Sequence, residues 1–441
     1  MKRLLISLVL LPLISQSQEL FWSPFKIISS DIDGFGRPRV VLTADNNPLI
    51  IWRKDSPPKT LRASKWDGNS FSVPYDILQP GILPSSWDGP EVASKGDTVY
   101  VVFTSTVTLQ SSIMLIRSFD GGATFSDTIR VSENNPTHKF RMANVTVKED
   151  AHPVVSYMQY LLNWMEPKQM VNPSITFGSS FIGAIEGSDV APGEPCDCCK
   201  SSLISSGNNL FLLFRNNDNN IRNSYVAKSI DGGISFTSTA DMDDYNWMLN
   251  SCPATTPIGI ALYDSLVVVK RSGATGNNEI VCSSVNIMDL NYAYNNNIDF
   301  ISGVQQDYPQ IAANEDTIIV VWQDNRMGFQ NCYMSLSTNG AYYLNGSISF
   351  TDSTTMGNKQ DPDVAYANRD IHLVYLDYNQ HKIIYVKASF DQINEINQIP
   401  NGSNQIIRII DVLGRETKRK KNQPLFYIYD DGTVEKRIVI E

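Results

Sequence analysis

The chain has 441 residues and carries 46 acidic against 36 basic side chains, a formal net charge of −10. This charge disfavours a nucleic acid as a partner, because phosphate contacts need a surplus of lysine and arginine. With 42% hydrophobic and 19% charged residues the composition is that of a globular protein, and the length allows either several average domains or one large all-β body.

The first residues predict a cleaved signal peptide. Lys2 and Arg3 precede an apolar run over residues 4–14, and small residues follow at Ser15 and Ser17. The apolar run is short for a bilayer-spanning segment, and no second long apolar run follows. We therefore predict a signal peptide over residues 1–17 and an exported mature chain without a transmembrane segment, in which cysteines can be oxidised.

Internal repeats over residues 18–396 predict the fold. Each repeat has an apolar strand, a short polar turn and a stronger second strand that ends in an aromatic or charged residue. The repeat starts lie roughly 50–60 residues apart, which is the spacing of four-stranded propeller blades. The repeats begin at Arg39, Glu91, Asn144, Ser201, Ile258, Gln310 and Asp363. The prediction is an all-β propeller of seven four-stranded blades.

The two ends of the repeat region are predicted to meet. The last repeat shows only three clear strands, and residues 25–30 (FKIISS) provide a spare one. We expect this strand to close the ring, because closure removes an exposed sheet edge. Residues 397–405 form a polar linker rich in Asn, Gln, Gly and Pro, and residues 406–441 form a separate tail of three short strands.

Two turns carry the same motif at equivalent repeat positions, SFDGGATF from Ser118 and SIDGGISF from Ser229. The aspartate can accept hydrogen bonds from turn amides, and glycine tolerates positive φ, so Asp120 and Asp231 are predicted to be structural. The motif resembles the Asp box, or BNR repeat, of sialidase-like β-propellers. The resemblance implies that fold, with the six blades of sialidases as the alternative to seven, and a glycan as the partner.

The tail resembles the C-terminal sorting segment of the type IX secretion system, in DVLGRE from Asp411 and GTVEKR from Gly432. This resemblance implies export through the periplasm of a Bacteroidota-type bacterium, with the secretion machinery as a partner. The protein would then be secreted or held at the cell surface. A small β-appendage that packs on the propeller is the alternative interpretation.

Charged residues concentrate on one predicted face of the ring. In a propeller, the start of each innermost strand and the end of the next strand lie on the same face. Arginines and acids at these positions predict a polar funnel, and guanidinium groups suit a carboxylate ligand because each donates two parallel hydrogen bonds. A solvated face is the alternative. The predicted substrate-binding residues are Arg37 (or Arg39), Arg53, Arg215, Arg271 and Arg326.

The resemblance also implies a reaction. Sialidases cleave a terminal sugar that carries a carboxylate, using a tyrosine nucleophile, a glutamate base and an aspartate acid/base. The order of residues along this chain matches these roles to Tyr378 (or Tyr375), Glu194 and Asp55. The hypothesis is a glycoside hydrolase of the exo-α-sialidase type that acts on terminal acidic sugars of glycans. The alternative is a noncatalytic glycan- or protein-binding surface propeller.

Four of the six cysteines fall at neighbouring positions on the funnel face. Cys196, Cys198 and Cys199 precede the inner strand of the fourth repeat, and Cys252 precedes that of the fifth. These segments resemble a subgroup of bacterial sialidase-like propellers with C-D-C-C before one blade and C-P before the next. Three chemistries stay open: a structural disulfide to Cys252, which export favours; a thiolate site for zinc or copper(I) on all four; and a Cys196/Cys199 redox pair. Apart from that metal, we predict no cofactor.

Overall fold

The computed structural model describes residues 20–390, apart from 33–34, 108–109, 339–343 and 345, and residues 406–438, apart from 413, 421–422 and 430–433. The predicted signal peptide, the linker and the start of the second tail motif therefore lie outside the described residues. The chain divides into two compact units, Met1–Gln392 and Ile393–Glu441. Within the described ranges the one helical element is a 3-10 turn at Ala44–Asn46, and no helix has the length and apolar character to cross a membrane.

The first unit contains seven antiparallel sheets, blades 1 to 7, whose strands follow one another in chain order. Blade 1 consists of Arg39–Leu42, Pro48–Lys54, Thr60–Lys65 and Tyr75–Asp76; blade 2 of Glu91–Lys95, Thr98–Ser105, Ser112–Ser118 and Ile129–Arg130; blade 3 of His138–Val147, Pro153–Leu161, Lys168–Pro173 and Ile185–Glu186. Blade 4 consists of Ser202–Ser206, Asn209–Asn217, Ser224–Ser229 and Ser238–Asp241, and Glu194–Pro195 pairs with the end of its second strand.

The remaining blades repeat this pattern. Blade 5 consists of Ile258–Leu262, Ser265–Ser272, Glu279–Asn286 and Tyr292–Asn297; blade 6 of Gln306–Asn314, Thr317–Asp324, Asn331–Ser337 and Ile348–Ser349; blade 7 of Lys359–Ala367, Asp370–Asp377 and Lys382–Ser389, with the N-terminal strands Phe21–Trp22 and Lys26–Ser29. The first strands of consecutive blades contact one another, and the first strand of blade 7 contacts that of blade 1. The prediction of a seven-bladed, all-β propeller is confirmed.

The second strand of each blade explains the strong apolar runs of the sequence. In Thr317–Asp324 (TIIVVWQD) every residue after the first is buried. Such a strand is covered on both faces by the neighbouring blades, so it does not alternate between apolar and polar residues as a half-exposed strand does. The hydrophobic core therefore lies between blades rather than in one central mass, as in the cluster that joins Trp322 of blade 6 to Val267 and Val269 of blade 5.

The N-terminal strand closes the ring as predicted, because Lys26–Ser29 pairs antiparallel with Lys382–Ser389. Ile28 is 5% exposed and belongs to the cluster between blades 7 and 1, whereas Ile27 is 58% exposed. We expect Ile28→Ala to lower the free energy of unfolding by about 2–3 kcal/mol through lost burial and the cavity it leaves. Urea denaturation measures this change. The matched control Ile27→Ala should shift stability by less than about 0.5 kcal/mol, and equal effects would contradict the closure.

The second unit is a three-stranded antiparallel sheet of Ile406–Ile410, Pro424–Tyr429 and Val434–Ile438. Its three strands agree with the number predicted for the tail. Leu425 and Tyr427 of the central strand are buried. Its assignment as a sorting segment stays a prediction.

Candidate functional site

A left-handed residue marks the beginning of the inner strand in six of the seven blades. Register shifts accompany it in blades 3, 6 and 7, as in a β-bulge, which re-aims a side chain at a sheet end. Five of the six are not glycine, so each costs about 1 kcal/mol or more of backbone strain. The residues with positive φ are Arg37, Gly89, Met142, Ala254, Tyr308 and Asp361.

These positions and the residues two places further along form two rings around the start of the inner strands, of which the second is polar. The upper ring contains the six left-handed residues and, in blade 4, Cys198. The lower ring contains Arg39, Glu91, Asn144, Lys200, Thr256, Gln310 and Asp363. Residues of both rings line a cavity of about 120 Å³, which we call the axial cavity, together with Trp87, Asp88, Ile258 and Pro309.

A largely buried ion cluster joins three blades in the lower ring. The Arg39 guanidinium donates from Nε and Nη2 to the two carboxylate oxygens of Glu91, each at 2.9 Å. Lys200, which comes from blade 4, donates from Nζ to Glu91 Oε1 at 2.7 Å and to the backbone carbonyl of Asp88 at 2.7 Å. A single carboxylate in blade 2 therefore compensates one cation from blade 1 and one from blade 4.

The two acids of the lower ring have opposite pKa shifts. Burial by itself would raise the pKa of Glu91, but the charges of Arg39 and Lys200 outweigh burial and lower it to about 2. Burial raises the pKa of Asp363 to about 6, although Arg39 and a hydrogen bond from the Val40 amide at 2.8 Å oppose it. Glu91 is thus firmly ionised, and Asp363 can change its protonation near neutral pH.

Arg37 lines the axial cavity and forms an ion pair with Asp361. Its Nη1 donates to Asp361 Oδ1 at 2.7 Å, and its guanidinium lies over the rings of Phe35 and Tyr308 at 5.4 and 5.3 Å. Burial lowers the pKa of Arg37, but Asp361 and Tyr308 outweigh it, so the net direction is upward. Its buried Nε finds no acceptor among the described residues.

Asp88 and Trp87 form the blade 2 side of the axial cavity. Asp88 Oδ2 accepts hydrogen bonds from Thr104 Oγ1 at 2.5 Å and from the Met142 amide at 2.7 Å. Its other oxygen, Oδ1, is buried and has no donor within the part of the chain that the structure describes. Trp87 is 63% exposed and therefore offers its ring to solvent at the mouth.

Two predicted substrate-binding arginines outside this cavity surround one tryptophan. Arg215 is fully buried and donates from Nη2 to the Arg271 carbonyl at 2.8 Å. The guanidinium groups of Arg215 and Arg271 lie 4.8 and 5.4 Å from the Trp247 ring centre, and Arg271 is ion-paired with Asp307. These two arginines lie close to each other, and neither is among the described residues that line the axial cavity.

The last two predicted arginines are also paired with nearby acids. Arg53 is fully buried in an ion pair with Asp55, and burial lowers the pKa of Arg53 to about 10. Arg326 pairs with Asp324 at 2.5 Å and Asp299 at 2.8 Å. The proposed acid/base Asp55 therefore lies next to the preceding arginine of its own blade.

The other proposed catalytic residues are not among the described residues that line the axial cavity. Glu194 is exposed in the short strand beside the second strand of blade 4. Tyr378 is 38% exposed and its ring centre lies 5.7 Å from that of Phe35. Tyr375, the alternative nucleophile, is fully buried in blade 7, where its hydroxyl accepts a hydrogen bond from the Asp352 amide at 3.2 Å. Among the residues described, Asp55, Glu194 and Tyr378 do not line the axial cavity.

The cysteines beside the cavity contain one disulfide, between Cys198 and Cys252, which links blade 4 to blade 5. Cys196 and Cys199 are buried free thiols. Although the sulfurs of Cys196, Cys198 and Cys199 lie within 4.8 Å of one another, the bond leaves two thiols, fewer than the four ligands of a structural zinc site. A four-cysteine metal site therefore stays a prediction that requires the bond to be reduced. Cys282 is a free buried thiol elsewhere in blade 5.

The two DGG turns lie between the third and fourth strands of blades 2 and 4. Asp120 Oδ1 accepts a hydrogen bond from the Thr124 amide at 2.9 Å, and Asp231 Oδ1 accepts one from the Ser235 amide at 2.9 Å. Burial would raise the pKa of each aspartate, but the hydrogen bonds outweigh it and lower both to about 2. Both side chains thus accept hydrogen bonds within their own turns.

Sequence reasoning did not single out the lower ring. Glu91 was visible only as the start of a repeat, and Lys200 only as the residue that follows Cys199. The repeat register contains part of the missing signal, because five of the seven lower-ring residues are the first residue of their repeat, and Lys200 and Thr256 come one and two residues before the start of theirs. The repeat starts alone collect Arg39, Glu91 and Asp363 as charged members.

No protein-family model and no curated protein matches the chain. Among solved structures, the chain is similar to the Hadza microbial sialidase Hz136 (12% identity, TM-score 0.47, covering 81% of this chain and 66% of that one). It is also similar to the NanB sialidase from Streptococcus pneumoniae (9%, 0.47, 68% and 67%) and to a puromycin-hydrolyzing peptidase of Mycobacterium tuberculosis (11%, 0.49, 93% and 61%). The chain thus spans about two thirds or less of the length of these structures. It is a seven-bladed propeller with sialidases among its structural neighbours.

Proposed function

We propose that the chain is an exported glycan-binding propeller whose axial cavity receives hydroxyl groups of a sugar. The observation that carries the proposal is the pairing of the cavity's charges: Glu91 holds Arg39 and Lys200, and Asp361 holds Arg37. Arg39 donates from both Nε and Nη2 to Glu91, so this edge of its guanidinium is not free to form a bidentate pair with the carboxylate of a ligand. The cavity therefore suits a neutral polar group better than an anion.

Two unsatisfied atoms support a hydroxyl ligand. Within the described part of the chain, Arg37 Nε is a buried donor without an acceptor and Asp88 Oδ1 is a buried acceptor without a donor. A hydroxyl group both donates and accepts, so sugar hydroxyls can satisfy both atoms. Leaving a buried polar atom unpaired costs about 1–3 kcal/mol, which such a ligand recovers in part.

The exposed ring of Trp87 supports a sugar as the carrier of these hydroxyls. A sugar ring has an apolar face, and a tryptophan at the mouth of a polar cavity can cover that face while the hydroxyls enter. The cavity of about 120 Å³ holds only part of a sugar, so the rest of the ligand lies against the mouth. This geometry favours recognition of a terminal residue.

A glycan array that contains neutral and acidic terminal sugars tests the proposal. We expect retention of neutral glycans, and we expect Trp87→Ala to weaken the affinity of the best ligand about three- to tenfold, measured by calorimetry, because the stacking contact is lost. Phe119→Ala is the matched control, since Phe119 is an exposed ring in a turn at the opposite end of the strands. Binding of acidic glycans alone, or no change on removing Trp87, contradicts the proposal.

Hydrolysis of a terminal acidic sugar is the second candidate, with Tyr378 as nucleophile, Glu194 as base and Asp55 as acid/base. The observation that favours it is that Tyr378 and Arg37 contact the same ring, that of Phe35. Turnover of a fluorogenic sialoside that disappears in Tyr378→Phe supports this candidate. Absence of turnover on a panel of acidic glycosides, with neutral glycan binding retained, rejects it.

Export to the cell surface or medium is part of the proposal. The Cys198–Cys252 disulfide supports it, because such bonds persist in oxidising compartments. Cell fractionation of the native host tests it: the protein should occur in the medium or on the surface, and deletion of residues 406–441 should leave it in the periplasm. A full-length protein confined to the cytoplasm contradicts this part.

A further inference from the structure

The sulfur cluster of Cys196, Cys198, Cys199 and Cys252 contains one bond and two thiols in contact. Cys199 Sγ lies 3.1 Å from Cys196 Sγ, and Cys196 Sγ lies 3.5 Å from Cys198 Sγ, which is one sulfur of the disulfide. We propose that this cluster is an intramolecular thiol–disulfide exchange site, in which Cys196 attacks the Cys198–Cys252 bond and Cys199 resolves the product.

The surroundings of Cys196 favour a thiolate. Arg222 Nη1 lies 3.5 Å from Cys196 Sγ. The Cys199 thiol donates a hydrogen bond to Cys196 Sγ at 3.1 Å. The pair therefore consists of an attacking thiolate and a protonated reserve thiol.

The exchange conserves electrons within the chain. In the first step the Cys196 thiolate forms a bond to Cys198 Sγ, and the Cys198–Cys252 bond breaks with its electron pair leaving on Cys252. In the second step Cys199 loses its proton, to the Cys252 thiolate or to water, and attacks Cys196, which releases Cys198 as a thiolate. The products are a Cys196–Cys199 disulfide and two thiols, Cys198 and Cys252, and no external oxidant is needed.

The backbone around the attacking sulfur is held in place. The Cys196 amide donates to the Arg215 carbonyl at 2.8 Å, and the carbonyl of Asp197 accepts a hydrogen bond from the Tyr160 hydroxyl at 2.5 Å. The Cys199 carbonyl accepts one from Gln169 Nε2 at 3.1 Å. These anchors keep Cys196 beside both of its partners, so the exchange needs side-chain rotation rather than local unfolding.

The leaving sulfur is at the surface, whereas the two thiols are not. Cys252 is exposed, and Cys196 and Cys199 are fully buried. Exchange therefore brings a thiol to the surface at the join of blades 4 and 5 and moves the disulfide into the interior. Because Cys198 lines the axial cavity, the crosslink that fixes this part of the cavity wall opens at the same time.

Native-state trapping tests the proposal. The purified full chain is incubated with excess iodoacetamide and no reductant, and the alkylated sites are read by mass spectrometry of the digested protein. We expect time-dependent alkylation of Cys252 together with an internal Cys196–Cys199 bond. Cys196→Ser should abolish Cys252 alkylation, and Cys199→Ser should slow it at least about tenfold because the first product reverts.

Two further variants of the chain keep the test decisive if a serine variant folds poorly. Arg222→Gln keeps all cysteines but removes the charge beside Cys196, so it should slow trapping several-fold while the fluorescence spectrum stays native. Cys282→Ala, which alters a distant buried thiol, should trap at the wild-type rate. The proposal is overturned if wild-type Cys252 stays unmodified while the Cys198–Cys252 peptide pair persists, or if Cys196→Ser traps as fast as wild type.

Discussion

Replacing Glu91 with glutamine is expected to lower the free energy of unfolding by about 3 kcal/mol at neutral pH, because it leaves the largely buried Arg39 and Lys200 without their counter-charge. The pKa shift of Glu91 gives a free-energy change of the same size. The fall from 4.5 to about 2 corresponds to about 3 kcal/mol of preference for the ionised carboxylate in the fold. Urea denaturation of wild type and variant measures the difference, and the exposed Glu149→Gln is the matched control, with an effect below about 0.5 kcal/mol.

The pH dependence of this difference identifies its cause. The pKa of Glu91 is lower in the folded chain than in the unfolded one, so its contribution is present above about pH 4.5 and is lost as the pH falls through about 2. Asp363 acts in the opposite direction, since its pKa is raised to about 6, and because the Glu91 charge contributes to that rise, the titration of Asp363 also differs between the two proteins. A difference between wild type and Glu91→Gln that stays constant from pH 7 to pH 2 contradicts the ionic explanation.

Removal of the Cys198–Cys252 bond in the Cys198→Ser/Cys252→Ser double variant is the second large effect. The bond closes a loop with a sequence separation of 54, for which the chain-entropy relation gives a loss of about 4 kcal/mol. Reductant should lower the stability of wild type to the level of the double variant and leave the double variant unchanged. Cys282→Ala, which removes a buried thiol without a crosslink, is the control. A double variant as stable as wild type contradicts the prediction.

The sequence carried most of the fold because each blade encodes its own pattern. Seven apolar second strands at regular spacing predicted seven blades, and the segment FKIISS predicted the strand that completes the seventh blade. The sequence could not predict which of Cys196, Cys198 and Cys199 forms the disulfide with Cys252. These residues are close together in an irregular loop and differ there only in the direction of their side chains.

The candidate site was harder to predict from the sequence than the fold, for two physical reasons. Lys200 meets Glu91 across the axis, from a blade that is not its neighbour, and sequence distance says nothing about such an encounter. The backbone that re-aims the upper ring is left-handed at Arg37, Met142 and Tyr308, where no glycine signals a positive φ. The sequence therefore predicted that charged residues lie on the funnel face. It did not predict the ion pairs through which these residues neutralise one another.

The pairing of Lys26–Ser29 with Lys382–Ser389 has a consequence for biosynthesis. The strand made near the beginning of translation finds its place only when almost the entire propeller sequence has been synthesised, which takes tens of seconds at about 5–20 residues per second. Until then the blades already made can form only an open arc with an unpaired edge. The chain therefore cannot complete its native structure until the strands of the last blade have been made.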